Sequence, residues 1–179
     1  FTPGDNRTLQ LQNLVTNNFD YDCSFRIYVF TDFNISNRMK SRFTGGRSVR
    51  GVFDRDTANG VFQEMKGFGP YAWNPPADVL IDFAEGTDIF HHKYMIIDPL
   101  HTSSNPVVET GSYNYSNAAN NSNDENMLIV TGDRETMRGL LAALALAAVC
   151  VGAPVLAADG EDTAKPAASP LTGSLRGGE

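Results

Sequence analysis

The sequence predicts an α/β fold, in which helices flank a mixed and partly parallel β-sheet. Short segments rich in β-branched and aromatic residues alternate with segments of helical character along the first part of the chain. Breaks such as Asn59-Gly60 separate these segments and favour turns. Alternating strands and helices are typical of βαβ units, which build a partly parallel sheet. With 179 residues, the chain is also long enough to bury a sizeable core.

Three strands separated by two helices are predicted to form the first half of the sheet. Residues 24–31 alternate in polarity and are rich in strand formers, which predicts the first strand. The same reasoning predicts a helix at residues 35–43, a strand at 48–53, a helix at 61–66 and a strand at 79–83. Further strands are expected at residues 91–98 and 107–112.

The strand predicted at residues 91–98 carries a histidine and a lysine two positions apart. Side chains at i and i+2 project from the same face of a strand, so His91 and Lys93 would face one pocket. Asp98 lies seven positions after His91, an odd interval that would direct it to the opposite face. We therefore expect His91 and Lys93 to act together, and Asp98 to make mainly structural hydrogen bonds.

The next predicted strand ends in a Gly-Ser-Tyr-Asn run at residues 111–114. A glycine allows a backbone to approach a ligand closely, and Ser112 and Asn114 add a hydroxyl and an amide. Preorganised donors of this kind, together with a lysine, stabilise the negative charge that develops on a phosphoryl group. This run and Lys93 thus predict a phosphate site whose chemistry requires no metal.

The spacing of His91, Lys93 and Asp98, followed by Gly-Ser-x-Asn, resembles the signature of the phospholipase D superfamily, also called the HKD phosphodiesterases. The chain is most similar to the small bacterial endonucleases of that superfamily, which carry one such motif per chain. The resemblance extends to a Glu-Thr-Gly-Ser-aromatic-Asn run at residues 109–114 and an Asn-x-Glu-Asn run at residues 123–126. It implies a phospholipase D-like domain.

The resemblance also implies a covalent mechanism. His91 would attack phosphorus to form a phosphohistidine, a two-step displacement of the kind used in nucleophilic catalysis. Lys93, Ser112 and Asn114 would bind the phosphate oxygens, and Glu125 would orient the imidazole. The predicted catalytic residues are His91, Lys93, Asp98, Asn114 and Glu125, with no metal and no cofactor.

A single copy of the motif occurs in this chain, whereas the superfamily assembles its active site from two copies that face each other across a pseudo-twofold axis. The resemblance therefore implies a homodimer, in which His91 of one chain is the nucleophile and His91 of the other is the general acid. Alternatively, the second motif lay in a missing half of a longer protein. The start at Phe1 instead of Met favours a fragment or a processed product.

Three classes of function are compatible with these observations. The first is a metal-independent phosphodiesterase, with nucleic acid as the preferred substrate and a phospholipid such as cardiolipin as the alternative. The second is a catalytically silent domain that binds phosphate groups, and the third is a membrane-anchored interaction protein. The complete motif favours the first class.

Charge limits how nucleic acid would be bound. The chain has 14 Lys and Arg against 21 Asp and Glu, and its net charge of −7 argues against indiscriminate binding to nucleic acid. Residues 38–55 are locally basic, because they contain six Lys and Arg and a single acidic residue. This segment is predicted either to contact phosphates or to form an ordinary solvated surface.

The C-terminal part departs from the family pattern, so we assign the phospholipase D-like domain to residues 1–133. Residues 134–158 resemble a secretory signal peptide, with a basic start, an apolar run and small residues like those of a cleavage site. A signal peptide would direct a protein to the cell envelope or out of the cell, but its internal position leaves localisation open and indicates that unrelated segments were joined. A membrane anchor or a helix packed on the domain are the alternatives. Residues 159–179 are predicted to be a disordered tail.

Overall fold

The computed structural model describes residues 4–82, 89–101 and 103–132, together with residues 135 and 139. Along these ranges the elements follow in the order α1 (Arg7–Asn18), β1 (Asp22–Ile27), α2 (Phe33–Thr44), β2 (Ser48–Phe53), α3 (Gly60–Met65), β3 (Asp78–Ile81), β4 (Lys93–Ile97), β5 (Val107–Gly111), α4 (Asn117–Asn121) and β6 (Met127–Thr131).

The strands form one mixed sheet in the order β3-β2-β1-β4-β5-β6. β1, β2 and β3 are parallel, whereas β4 pairs antiparallel with both β1 and β5, and β6 pairs antiparallel with β5. The predicted α/β class with a partly parallel sheet is therefore confirmed. As a consequence of this topology, β1, β2, β3 and β5 end at the same edge of the sheet where β4 and β6 begin. We call it the site edge; it passes Ile27, Lys93, Gly111 and Met127.

The hydrophobic core lies on the face of the sheet that the helices cover. In β1, the buried side chains of Cys23, Phe25 and Ile27 alternate with more accessible ones, as the two-residue period of a strand requires. These three residues belong to one buried cluster with side chains from α1, α2 and α3. Gly51 of β2 gives the Phe25 ring its space, because a Cβ at this position would lie 2.2 Å from the ring.

Most predicted elements are present, but several of their boundaries differ, and the differences in β1 and β4 affect the candidate site. β2 has the predicted bounds, whereas the strand expected at residues 24–31 ends at Ile27. Beyond this point the chain leaves β2, and Phe30 forms a parallel bridge with Tyr115 instead. The strand expected at residues 91–98 begins only at Lys93. His91 therefore precedes the strand, and a tertiary contact must position it.

Three elements were not predicted: α1, the short helix α4 and β6. α1 has twelve mostly polar residues and buries only Leu11, Leu14 and Val15, which leaves a weak helical periodicity in the sequence. Asn6 caps the N-terminus of α1, and its side chain accepts a hydrogen bond from the Leu9 N–H at 3.0 Å. Packing against α2 therefore decides this helix more than its own sequence does.

The segments predicted at residues 134–158 and 159–179 lie outside the described residues, apart from positions 135 and 139. The signal-peptide-like segment and the disordered tail therefore stay predictions. Within the described ranges, every helix is too short or too polar to cross a bilayer.

Candidate active site

Lys93 is the first residue of β4, and its side chain lies on the covered face of the sheet with 6% of its surface exposed. Its Nζ donates a hydrogen bond to the backbone carbonyl of His91 at 3.3 Å and lies 5.1 Å from the centre of the Tyr28 ring. Burial lowers the pKa of Lys93, and the negative charge of Glu125 opposes this shift. Lys93 is thus a cation with little water around it, a setting in which its attraction for a phosphate is strong.

His91 is exposed and lies immediately before β4. Its ring is centred 4.8 Å from the ring of Tyr28, at an angle of 54°. The backbone holds this segment in place, because Tyr28 N–H donates to the carbonyl of His92 at 2.7 Å. Tyr28 therefore contacts both His91 and Lys93, so the two residues are neighbours as predicted, although a shared aromatic ring and not strand periodicity brings them together.

Sequence reasoning assigned no role to Tyr28. Its aromatic character was read only as a strand signal within residues 24–31. The signal that would have found it is its place directly after a parallel strand, since ligands of open α/β sheets bind at the carboxyl ends of such strands.

His92 points away from His91, as expected. Its ring contacts Phe90 at 4.7 Å and Tyr94 at 6.0 Å between centroids, and Tyr94 lies on the sheet face opposite Lys93. Partial burial lowers the pKa of His92, and the positive charges of Arg26 and Lys93 act in the same direction. These contacts give His92 a packing role.

Residues 112–115 run beside the segment that follows β1 and alternate between two environments. Tyr113 and Tyr115 are fully buried, while Ser112 and Asn114 are partly accessible. Asn114 Oδ1 accepts a hydrogen bond from the Val29 N–H at 3.1 Å. This bond fixes the orientation of the Asn114 amide, and its two N–H donors, which have no partner among the described residues, are accessible to an anion.

A contact with another part of the chain requires glycine at position 111. Gly111 has a φ of 156°, and a Cβ at this position would lie 2.4 Å from the backbone oxygen of Asn126. The close approach that the structure shows is to the chain entering β6, and the predicted approach of a ligand stays a prediction. Ser112 N–H donates to the Asn126 carbonyl at 3.2 Å, and Asn126 N–H donates to Ser112 Oγ at 3.0 Å. These bonds fix Ser112 at the site edge.

Glu125 joins the site through Ser112. Its Oε2 accepts a hydrogen bond from Ser112 Oγ at 2.5 Å, and its Oε1 accepts one from Asn123 Nδ2 at 3.1 Å. Its charge also reaches Lys93, whose pKa it raises against the effect of burial. The predicted orientation of His91 by Glu125 stays a prediction.

A buried acid supports residues 112–115 from beneath. Glu109 of β5 is fully buried and accepts a hydrogen bond from Tyr115 Oη at 2.5 Å. Its second oxygen has no hydrogen-bond partner among the described residues. Burial raises the pKa of Glu109 to about 8, although the bond from Tyr115 lowers it. Burial thus favours the protonated form of the carboxyl, and this form costs less to keep in the core than the charged one.

Asp98 lies away from the other predicted site residues, at the opposite end of β4 from Lys93. It is fully buried and has a φ of 49°. Its carboxylate accepts hydrogen bonds from the N–H groups of Asp20, Tyr21 and Asp22 at 2.9, 2.9 and 2.7 Å. Asp98 thus makes the structural hydrogen bonds expected of it, and its position does not support the catalytic place that the motif alone gave it.

The basic segment at residues 38–55 is largely engaged in local contacts. Arg42 pairs with Asp20 at 2.7 Å, Arg50 with Asp78 at 3.7 Å and Arg55 with Asp56 at 3.3 Å, and Lys40 Nζ donates to the Tyr71 carbonyl at 2.7 Å. These contacts argue against the prediction that this segment forms a broad phosphate-binding patch. Within the described residues, no three His, Cys, Asp or Glu side chains are grouped so that they could hold a metal ion.

Comparison with solved structures assigns the fold to the phospholipase D class. Nuc from Salmonella typhimurium, a phospholipase D family member, has a TM-score of 0.58 and 22% identity, over 75% of this chain and 82% of that one. NucT from Helicobacter pylori has a TM-score of 0.58 and 23% identity, over 80% of this chain and 89% of that one. At such identities the similarity shows the fold alone.

Sequence comparison supplies the family. The family model described as "Cardiolipin synthase, PLD-like domain" matches residues 17–143, more than half of the chain. The chain therefore belongs to the phospholipase D-like family, as its motif predicted. No match was found among curated protein sequences.

Proposed function

We propose that this chain is a phosphodiesterase that acts through a phosphohistidine at His91, and that its substrate is nucleic acid. The observation that supports this most strongly is the meeting of His91 and Lys93 at Tyr28, with Ser112 and Asn114 fixed at the same edge of the sheet. An exposed imidazole, a desolvated cation and two neutral donors are a suitable set for attack on a phosphate.

In the first step of the proposed reaction, a ring nitrogen of His91 attacks phosphorus and a P–N bond forms. The P–O bond to the leaving group breaks as a general acid delivers a proton to that oxygen. Lys93 and the Asn114 amide hold the non-bridging oxygens, where negative charge is concentrated. Water then attacks the phosphohistidine, breaks the P–N bond and releases a phosphomonoester, while the general acid takes back a proton.

We further propose that a second copy of the chain supplies the general acid, its own His91, in a symmetric dimer. Mixing wild-type protein with an equal amount of His91→Asn protein tests this, after the subunits have been allowed to exchange. Activity per wild-type chain is expected to fall to about half, because half of those chains would then pair with an inactive partner. Unchanged activity per wild-type chain would show that each chain works alone.

The basic test of function uses bis-p-nitrophenyl phosphate and single-stranded DNA in excess EDTA. We expect cleavage by the wild-type protein and loss of at least about 1,000-fold in His91→Asn, because the nucleophile is removed. His92→Asn is the matched control and should retain activity, since His92 packs away from the site. Full activity of His91→Asn would exclude this mechanism, and inactivity of the wild-type protein would favour a silent phosphate-binding domain.

A phospholipid substrate is the second candidate, and the description of the matching family favours it. The same attack on phosphorus serves both substrate classes. Parallel assays on single-stranded DNA and on vesicles that contain cardiolipin decide between them. Faster turnover of the vesicles would assign the site to lipid.

A further inference from the structure

A cavity of about 240 Å³ lies between α2 and α3, lined by Phe33, Asn37, Glu64 and Tyr71. Its volume is slightly below the roughly 300–1,000 Å³ of typical small-ligand pockets, so it suits one planar ring system. Phe33 and Tyr71 are 44% and 68% exposed. Large aromatic side chains with this much exposed surface on a small protein are candidates for stacking against a ligand.

Glu64 is the unusual residue of this cavity. It is 9% exposed, and neighbours hold its backbone, since its carbonyl accepts a hydrogen bond from the Trp73 N–H at 2.7 Å. Its carboxylate has no hydrogen-bond partner within the part of the chain that the structure describes, and it faces the cavity. The carboxylate oxygens stay accessible from the cavity, so they can accept hydrogen bonds from the N–H groups of a ligand.

One side of α2 carries two residues that line the cavity, Phe33 and Asn37, and then Lys40 beyond them. Phe33, Asn37 and Lys40 are spaced i, i+4 and i+7, so they project from the same side of the helix. This stripe of residues spans about 10 Å at 1.5 Å per residue. Its end is fixed to the opposite wall, because Lys40 Nζ donates to the carbonyl of Tyr71 at 2.7 Å. A ring and an amide thus line the cavity, and an ammonium group lies next to it at the Tyr71 backbone.

We propose that this cavity binds a guanine base of a single-stranded nucleic acid substrate, an inference that rests on the proposed nuclease function. Guanine presents two adjacent N–H donors on one edge, which suit the two oxygens of the Glu64 carboxylate. Its rings stack between Phe33 and Tyr71. Lys40 uses one N–H for the Tyr71 carbonyl, and its remaining N–H donors bind the phosphate of the same nucleotide. A cationic headgroup would also suit two rings and a carboxylate, but the ammonium of Lys40 at the rim repels it.

The cavity lies within reach of the catalytic site along the chain. Phe33 follows Tyr28 by five residues, so their Cα atoms lie at most about 18 Å apart. α2 begins at the site edge, where its N-cap Asp32 has its N–H bonded to the Tyr115 carbonyl at 2.9 Å. A short oligonucleotide whose scissile phosphate lies at His91 can therefore place a neighbouring base in the cavity.

The gap beside Gly60 supports the position of the stacking ring. A Cβ at Gly60 would lie 3.0 Å from Cζ of Phe33, so the absence of a side chain at the start of α3 lets the ring rest there. A side chain at position 60 would displace the Phe33 ring from this place.

Ligand-observed NMR on the full chain, in EDTA, tests the proposal with GMP, AMP and CMP. We expect GMP to bind most tightly, and Glu64→Gln to weaken GMP binding by about five- to 100-fold while binding of AMP changes little. Tyr71→Ala should weaken all three by a similar factor, because stacking does not depend on the base. Lys40→Gln should weaken the binding of GMP but not that of guanosine, which has no phosphate. Phe68→Ala, an exposed aromatic outside the cavity, is the control and should bind like the wild-type protein.

Three results would overturn the proposal: equal affinity for the three nucleotides, unchanged GMP binding in Glu64→Gln, or tighter binding of tetramethylammonium than of GMP. Circular dichroism and thermal unfolding of each variant exclude misfolding as the cause of lost binding. The binding assay needs no catalysis. If the wild-type protein binds GMP but does not cleave bis-p-nitrophenyl phosphate, the proposed function fails. If it cleaves this substrate but Glu64→Gln binds GMP as tightly as the wild-type protein does, only the cavity proposal fails.

Discussion

Asp98, the acidic member of the motif, is predicted to hold the fold together without taking part in catalysis. Its buried carboxylate accepts three backbone hydrogen bonds, from Asp20, Tyr21 and Asp22. Hydrogen bonds to a charged group contribute about 1.5–3 kcal/mol each and are not additive. Because Asp98→Ala leaves three donors without a partner, we expect it to lower the free energy of unfolding by about 3–5 kcal/mol, a large share of the roughly 5–15 kcal/mol available.

Asp98→Asn should cost less. Asparagine tolerates the positive φ of 49° at this position, and its carbonyl oxygen replaces one acceptor. At the position of the second carboxylate oxygen, its NH2 group would face an N–H donor, so we expect the free energy of unfolding to fall by about 1.5–3 kcal/mol. Activity per folded molecule on bis-p-nitrophenyl phosphate should stay within about threefold of wild type, since Asp98 lies at the far end of β4 from Lys93.

Urea unfolding measures both effects, with an unchanged slope m as the sign that only stability has moved. Asp78→Asn is the control, because Asp78 is 72% exposed and pairs with Arg50 only at 3.7 Å; a change below about 0.5 kcal/mol is expected. The reasoning is refuted by Asp98→Ala with wild-type stability. It is equally refuted by a stable Asp98→Asn protein that has lost its activity.

Three further variants test other parts of the site. Glu109→Gln should flatten the pH dependence of stability. In the wild-type protein the folded pKa of Glu109 is about 8, above the 4.5 of an exposed carboxyl. The free energy of unfolding of the wild-type protein should therefore fall by up to about 1.4 kcal/mol per pH unit as pH rises from about 5 to 8. Equal slopes of the urea midpoint against pH in both proteins would contradict this. Gly111→Ala should lower thermal stability strongly and reduce activity, because its Cβ would lie 2.4 Å from the Asn126 oxygen; an unchanged melting temperature would be incompatible with that contact. Lys93→Met should lower kcat/KM by at least about 100-fold and leave the urea midpoint equal or higher, because the protein no longer buries an ammonium. Normal turnover with a reduced midpoint would show instead that Lys93 stabilises the fold and does not serve the reaction.

Local patterns predicted much of the sheet. Residues 48–53 alternate strictly enough that the strand has the predicted bounds. The polar helix α1 was missed, since only Leu11, Leu14 and Val15 mark its buried side. Whether such a segment becomes a helix depends on what it packs against, and that information is not local.

The candidate site shows the same division. His91, Lys93, Ser112 and Asn114 were identified from residue type and spacing, because phosphate chemistry needs a nucleophile, a cation and donors in any fold. Tyr28 could not be identified in this way. Its role comes from contacts to residues more than 60 positions away in the sequence.

The sequence alone determined the family, the residue types of the site and the partly parallel character of the sheet, because these depend on short-range periodicity and on a motif of fixed spacing. Only the tertiary structure decided that Asp98 lies at the end of β4 opposite the candidate site, that Gly111 makes room for Asn126, and that Glu109 is buried beneath residues 112–115. These features depend on contacts between segments that are distant in the sequence. Burial, close packing and the pairing of hydrogen-bond donors are set by such contacts and cannot be read from either segment alone.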